Sequence, residues 1–368
     1  MLTLIAFLKK VNDPRQNSGK RHPLWLILLL VVLGMMFGYL GYRDICAFGN
    51  ANQKQIVKFW EGARTKLPSY STLRRAMMLV NTSDLIEVFN EWASTLNPTN
   101  LGSEWVSIDG KCLKSTCINP DKNSHNFVSI VSLFSHSSGL VLALQKMENK
   151  KSSEIKCVQE LVRSQAISQR LFTLDALHCQ KETTAVITST KNDYTIALKG
   201  NQKKLRKAAE KISKNCPPIS ENQTVDNSHG RQIVRKVSVF NIESLKSESV
   251  NLSEWSNIQS LIKVERKGSR SQKDYEHEAY YISSLSASAE IFASKIQGHW
   301  LIENQLHWVK DVIFQEDSWP RTDYKAVTNL SILSTISLNL YRILGFSSIK
   351  AAQRWLGSSL SKLIHILC

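Results

Sequence analysis

Apolar and polar positions alternate along this chain in three regimes. From residue 1 to about 98 the apolar residues recur at helical spacing. A polar, basic loop over Asp13–His22 is followed by Pro23, which opens a wholly apolar segment. Further helices are predicted around Asp44–Gly49, Gln53–Trp60, Ser71–Val80 and Ser83–Leu96. Ser71 is placed to cap its helix, with Leu73, Met77 and Val80 as the apolar stripe and Arg74 and Arg75 on the outer faces. Helix–turn–helix pairs and ordinary helical hairpins share that arrangement. Asn97-Pro98-Thr99-Asn100 reads as a linker.

Beyond the linker the period changes to two. Trp105–Asp109 alternates and stops at Gly110, as a strand does. Phe127–Ser135 and Leu140–Lys146 are strand-like and are joined by a turn at Ser137–Gly139. Ser152 or Ser153 then caps a helix with Ile155, Val158 and Leu161 on one face. Strand Leu171–Asp175, helix Cys179–Ser189 and strand Asp193–Leu198 complete the order β-β-β-α-β-α-β, which predicts an α/β core.

The third regime runs from Gln202 to about Leu285. A basic helix, Lys203–Lys214, leads to Pro217-Pro218 and then to short strands at Gln232–Phe240, Ser260–Glu265 and Ala279–Leu285, with turns at Gly230 and Gly268. The pattern predicts a β-rich insertion lying outside the core ladder. Helices resume at Ser288, with a long one over about Ile291–Ile313 and another at Ala326–Leu344. The expected organisation is a helical N-terminal domain (1–98), a core in two parts (99–204 and 287–368) and the insertion between them (205–286).

Composition changes this picture in two places. Of 368 residues, 42% are hydrophobic and 21% charged, as in a folded protein, but 47 Lys and Arg against 31 Asp and Glu leave a net charge of +16. Such an excess favours polyanionic partners, nucleic acid or an anionic membrane surface. The uncharged run Leu24–Tyr42 is long enough for a transmembrane helix and carries Gly34 and Gly38 at GxxxG spacing, but a buried core helix is the favoured reading, since the rest of the chain offers no second span. It is too long for a signal peptide, and no small-residue cleavage site follows. The seven cysteines form no paired CxxC, which points to free thiols in a reducing cytoplasm.

Three acids stand out. Asp109 and Asp175 each end an apolar strand, and ligands of open α/β sheets gather beyond the carboxyl ends of strands. Glu303 lies in a segment where Ile302, Leu306, Val309 and Ile313 form an apolar helical stripe, while His299, Glu303, His307 and Lys310 share a neighbouring face. A zinc-protease HExxH is absent. Three carboxylates suit phosphodiester chemistry, in which two divalent ions about 4 Å apart activate the nucleophile and stabilise the leaving oxygen. Hard oxygen donors select Mg²⁺, with Mn²⁺ able to substitute.

At these residues the chain resembles the H-repeat-associated branch of the DDE transposases of bacterial insertion sequences. The resemblance rests on Arg21-His22-Pro23-Leu24, Ile108-Asp109-Gly110-Lys111, Asp175-Ala176 with Cys179-Gln180-Lys181, and Leu198-Lys199-Gly200-Asn201-Gln202. It continues through His229-Gly230-Arg231, Tyr280–Leu285, His299-Trp300, Ile302-Glu303-Asn304 and Leu306-His307-Trp308, with Asp311, Phe314, Glu316 and Asp317. It implies a ribonuclease-H-like catalytic core with a β-rich insertion, preceded by an all-α N-terminal domain for DNA binding and association. It also makes Asp109, Asp175 and Glu303 the catalytic, metal-binding residues. The broader superfamily pattern Tyr-x2-Arg-x3-Glu-x6-Lys is kept at Glu303 and Lys310, whereas Ile296 and His299 replace Tyr and Arg, so the arginine's phosphate contact would pass to His299. The apolar run becomes a core helix on this reading.

The expected protein is a cytoplasmic transposase without a membrane anchor. It would bind the terminal inverted repeats of its element in double-stranded DNA, hydrolyse the 3′ ends and join them to target DNA, as a homodimer or higher assembly on DNA. Lys199, Asn201, Gln202, Arg231, Arg235, Lys236 and Lys310 are the expected phosphate contacts, with His299, Asn304 and His307 beside the acids. Trp300 and Trp308 would stack on an unpaired base or else serve the core. The competing reading is a non-catalytic DNA-binding protein derived from a decayed or domesticated transposase.

Overall fold

The computed structural model describes residues 4–59, 66–96, 104–116, 127–148, 153–164, 168–227, 232–243, 251–270, 273–318, 323–357 and 360. Six helices come first: α1 (Leu4–Leu8), α2 (Leu24–Met36), α3 (Tyr42–Ala51), α4 (Gln53–Phe59), α5 (Tyr70–Leu79) and α6 (Thr82–Thr95). The apolar run is therefore not one helix. α2 stops at Met36, and Gly38, at φ +83°, turns the chain into α3. At 13 residues α2 is about 20 Å long, and all its residues except Trp25 are buried. Gly34 makes close packing possible: a Cβ there would lie 2.9 Å from Ile45 of α3. The cap of α5 is Ser69 rather than Ser71, its hydroxyl accepting from Thr72 N at 3.4 Å.

Nine strands form one sheet in the order β3-β2-β1-β4-β5-β9-β8-β7-β6. They are β1 (Glu104–Cys112), β2 (Val128–Ser135), β3 (Val141–Glu148), β4 (Arg170–Leu174), β5 (Asp193–Leu198), β6 (Ser220–Asp226), β7 (Ile233–Asn241), β8 (Ser260–Arg270) and β9 (Lys273–Ser283). β1–β4 and β4–β5 pair parallel and the rest antiparallel, so the α/β core reads as expected, consistent with a ribonuclease-H-like core. The insertion is not outside the ladder. β9 pairs antiparallel with β5 over Thr195↔Ser283 to Leu198↔Tyr280, and β8, β7 and β6 extend the same sheet. Gly268 lies within β8, paired with Tyr275, not at a turn. The predicted turn at Gly230 and the linker 97–100 lie outside the described residues.

Helices α7 (Glu154–Ser164), α8 (Lys181–Ser189) and α9 (Lys203–Asn215) bury Val158, Leu161, Ile187 and Leu205 with Val106, Phe172 and Ile196 of the sheet. α10 (Ala289–Gly298) packs Phe292 and Ile296 against Val237, Val239, Ile262 and Val264. The long helix expected over Ile291–Ile313 is broken. α10 ends at Gly298, the chain turns at 299–300, and helix resumes through a π-turn, Glu303–His307, into α11 (Trp308–Val312).

The N-terminal helices and the C-terminal α12 (Tyr324–Ile343) share one core, which reaches Ile130, Phe134 and Leu144 of the sheet. α12 is buried from Ala326 to Tyr341, although Ser, Thr and Asn punctuate it. Those polar groups are hydrogen-bonded, several of them to the backbone of neighbouring elements. Asn329 donates to Met77 O and Val80 O at the end of α5, at 2.9 and 3.0 Å. Asn339 exchanges hydrogen bonds with Val141 N and O of β3 at 2.9 and 2.8 Å. Ser337 donates to Val32 O, and Tyr341 to Met36 O, both in α2. A further helix, α13 (Ile349–Leu356), follows.

Candidate active site

Strand register brings the two aspartates together. β1 and β4 run parallel from Glu104↔Arg170 to Ser107↔Thr173. Two residues further along each chain stand Asp109 and Asp175. Asp175 does end its strand: its Oδ1 accepts from Leu177 N at 3.0 Å and caps the turn Ala176–His178. Asp109 does not. β1 continues through Gly110 to Cys112, paired with β2, because only its parallel neighbour stops.

Glu303 is delivered by the π-turn, a rare geometry that concentrates at functional positions. His307 is the residue that joins it to Asp109. Its Nδ1 lies 3.0 Å from Glu303 Oε2 and 3.5 Å from Asp109 Oδ2, and the ring is 6% exposed. Facing two carboxylates, Nδ1 is assigned as the protonated donor. The hydrogen bond from His307 lowers the Glu303 pKa against the opposing effect of burial. Asp109 is raised, by burial first; His307 and the Gly110 amide pull it down, and Glu154 and Asp175 push it up. A divalent cation would relieve that concentration of negative charge.

Asp109, Glu303 and His307 each offer a ligand atom within 4.8 Å of the others, the one such group of three among the described residues. Asp109 and Glu303, with Asp175 next to them, form an oxygen donor set that fits a hard divalent cation. His299 is not part of a histidine pair for zinc: its Nδ1 is 3.0 Å from Thr173 Oγ1.

Beneath the acids lies a polar layer that the sequence did not reveal. Ser107 Oγ contacts His136 Nε2 at 2.7 Å and Thr173 Oγ1 at 2.9 Å, and His299 closes the group from the other side. Burial, with His299 and Lys295 nearby, pushes the His136 pKa down to about 4. Burial also lowers His299, so at neutral pH that ring offers a hydrogen bond and not the charge of the arginine it replaces. Glu154, in the first turn of α7, accepts from the buried His178 at 3.2 Å, and its carboxyl carbon lies 2.9 Å from where a Cβ on Gly110 would stand. An acid in a helix's first turn is commonplace, so spacing alone could not single it out. Lys111 reaches from β1 to Asp311 at 2.5 Å and ties α11 to the strand.

The expected phosphate contacts separate. Lys199 is exposed on a cleft of about 810 Å³ that also takes in Asp109, Asp175, His299, Trp300 and Glu303. Asn201 donates to Ala176 O at 2.6 Å and Gln202 to Cys179 O at 2.8 Å, so these amides hold the loop that follows Asp175. Arg235 donates to Gln297 at 2.9 Å beside the end of α10. Lys236, its neighbour on the strand, faces the other side and pairs with Glu221 at 2.7 Å. Arg231 lies outside the described residues. Asn304 is exposed beside Glu303, and Trp300 and Trp308 are 53% and 52% exposed, which removes them from the core. Lys310 is the clear departure. It points inward, 3% exposed, to Glu316 at 3.3 Å and Ser331 at 2.8 Å, and cannot reach a phosphate as placed. The stripe beside it, Ile302, Leu306, Val309 and Ile313, is buried as its spacing predicts.

Comparison with known proteins gives this geometry its family. A model described as transposase DDE domain matches residues 102–340, and one described as DDE_Tnp_1-associated matches residues 5–93. The chain is 31% identical to "Putative transposase YncI" of Escherichia coli O157:H7, with 92% of this chain and 87% of the relative covered. It is 29% identical to "H repeat-associated putative transposase YhhI" of E. coli K12, covering 92% of this chain and 89% of that one. This protein belongs to the DDE transposases, in their H-repeat-associated branch, a family of divalent-metal enzymes that act on DNA.

Proposed function

We propose that the protein is an active insertion-sequence transposase that binds the terminal inverted repeats of its element, cleaves the 3′ ends and transfers them to target DNA. The observation that supports this most is the convergence of Asp109, Asp175 and Glu303 on one cleft, through strand register and the π-turn. Asp109, Asp175 and Glu303 would hold two Mg²⁺ ions. Bound divalent ions supply the positive charge that activates water or a 3′-hydroxyl and stabilises the departing oxygen.

The chain's own groups account for the rest. His307 Nδ1 holds the Asp109 and Glu303 carboxylates near one another. Lys199 meets a phosphate at the cleft, and His299 and Asn304 supply neutral hydrogen bonds. Trp300 and Trp308 stand clear of the core, free to stack on a base displaced near the cut.

The test is cleavage of a duplex carrying the element's end, with and without Mg²⁺. Asp109→Asn, Asp175→Asn and Glu303→Gln should each reduce cleavage by more than about 100-fold, since even outer partners of metal ligands approach that loss. Binding to the duplex should change little. A Glu303→Gln protein that cuts near the wild-type rate would remove Glu303 from the site. Tight binding with no metal-dependent nicking by the wild type would leave a DNA-binding protein without catalysis.

A further inference from the structure

The insertion carries cationic side chains in an arrangement that packing alone does not explain. Cross-strand register sets Arg235 of β7 directly opposite Arg266 of β8, and Arg266 directly opposite His277 of β9. Opposed residues of an antiparallel pair project from the same face, and the like charges of Arg235 and Arg266, set opposite one another, destabilise a sheet. This row is the next rung beyond Val237, Val264 and Ala279, and α10 covers Val237 and Val264. The face thus stays apolar as far as α10 reaches, and turns cationic where the helix ends at Gly298.

Apart from Asp226, which acts on Arg235, the counter-charges fall on the opposite face. Lys236, Lys263 and Lys267 pair there with Glu221, Glu265, Glu278 and Glu276 at 2.7 to 3.1 Å. Among the described residues no carboxylate lies within 4.0 Å of the Arg266 guanidinium, although the side chain is half-buried. Arg235 Nε is buried with no hydrogen-bond partner. One face of the insertion is neutralised by direct ion pairs, while on the other Asp226 acts on Arg235 and, among the described residues, Arg266 has no carboxylate in contact. Arg266 and His277 also line the same 810 Å³ cleft as the three acids.

We infer that the row Arg235–Arg266–His277 is a track for the phosphodiester backbone of the DNA strand whose scissile phosphate sits at the carboxylates. This rests on the transposase reading above and adds to it a path for the strand. Guanidinium groups set along an open cleft suit successive phosphates. Contacts of this kind position DNA without reading its sequence.

The experiment measures binding of the full-length protein to a labelled random-sequence duplex, and to the same duplex with a 3′ single-stranded overhang, over a range of NaCl. Each phosphate contact contributes about 0.9 to the slope of log affinity against log salt on duplex DNA. Arg235→Gln and Arg266→Gln should each flatten the slope by about that amount, and the double variant by about twice as much. Arg266→Lys, which retains the charge, should keep most of the slope. Lys267→Gln removes the same charge from the opposite face and should leave the slope as in the wild type.

Unchanged slopes in both arginine variants would overturn the track. An equal loss in Lys267→Gln would also overturn it, since overall charge would then be responsible. Weakening confined to one duplex sequence, with the slope intact, would make the row a base reader instead. Mn²⁺ binding, followed by electron paramagnetic resonance, should be unaltered in Arg235→Gln and Arg266→Gln; its loss would mean that the substitutions had disturbed the carboxylates. A wild type that binds neither duplex would overturn the track, and one that also fails to bind a duplex carrying the element's end would sink the transposase reading itself.

Discussion

His136 shows how a single residue beneath the acids couples the site to stability. Its imidazole is hydrogen-bonded to Ser107 and has its pKa depressed to about 4 by burial, from an ordinary value of 6.5. Between those values the unfolded chain binds a proton that the folded chain refuses. Stability from this group is therefore complete above pH 6.5 and is lost as the pH falls towards 4, by up to about 3 kcal/mol. Urea unfolding from pH 4 to 7 should show the decline, and His136→Gln should flatten it. A midpoint that drops equally in the variant would place the proton elsewhere. None of this was legible in the sequence, because Ser107, His136 and Thr173 are far apart along the chain and meet through strand pairing and the close of a hairpin. Asp175 was legible, because an acid after an apolar strand is a local pattern, whereas the same pattern misplaced Asp109 at the end of a strand that runs on to Cys112.

At the scale of elements, the Glu303 segment is where local reading succeeds on one face and fails on the other. The apolar stripe is right because burial of Ile302, Leu306, Val309 and Ile313 needs only approximate helical phase. The polar face is not continuous, because a turn at 299–300 and the π-turn change the phase between His299 and Lys310. Lys310 is consequently internal, and with Glu316, Ser331 and Ser334 it fastens α11 to α12. Burial depresses its pKa and Glu316 opposes the shift. Lys310→Met would strand Glu316, which is 1% exposed, and should destabilise the fold by roughly 3–5 kcal/mol. The double change Lys310→Met with Glu316→Gln should recover much of that loss. The salt dependence of DNA binding should not move in the double variant. A flattened slope there would restore Lys310 to the phosphate contacts.

The whole molecule is organised around α12, which sits between the N-terminal helices and the sheet. Residues 4–96 and the C-terminal helices contribute to one core, so a chain cut between α6 and β1 would expose the buried length of α12. We expect a fragment beginning at residue 99 to aggregate, and the full chain to stay in the supernatant without detergent. Leu29, 2% exposed in α2, tests the same point. Leu29→Asp would bury an unpaired carboxylate at several kcal/mol and should unfold the protein. Carbonate-resistant pelleting of the unmodified protein with membranes, or a Leu29→Asp variant that gains solubility, would contradict a core role for α2.

The sequence by itself determined most of the elements and their order, the stripes they bury, the acid that ends β4 and the cationic balance. These follow from periods of 2.0 and 3.6 residues and from charge, which are properties of neighbours along the chain. It did not reveal β6, whose SENQTVD segment is wet on both faces and has no alternation to read. Only the tertiary structure decided that the insertion extends the core sheet, that Arg235 and Lys236 face opposite ways relative to the cleft, and that His307 joins Glu303 to Asp109. Each of those depends on strand register or on a break in helical phase, and both are set by contacts between residues distant in the chain.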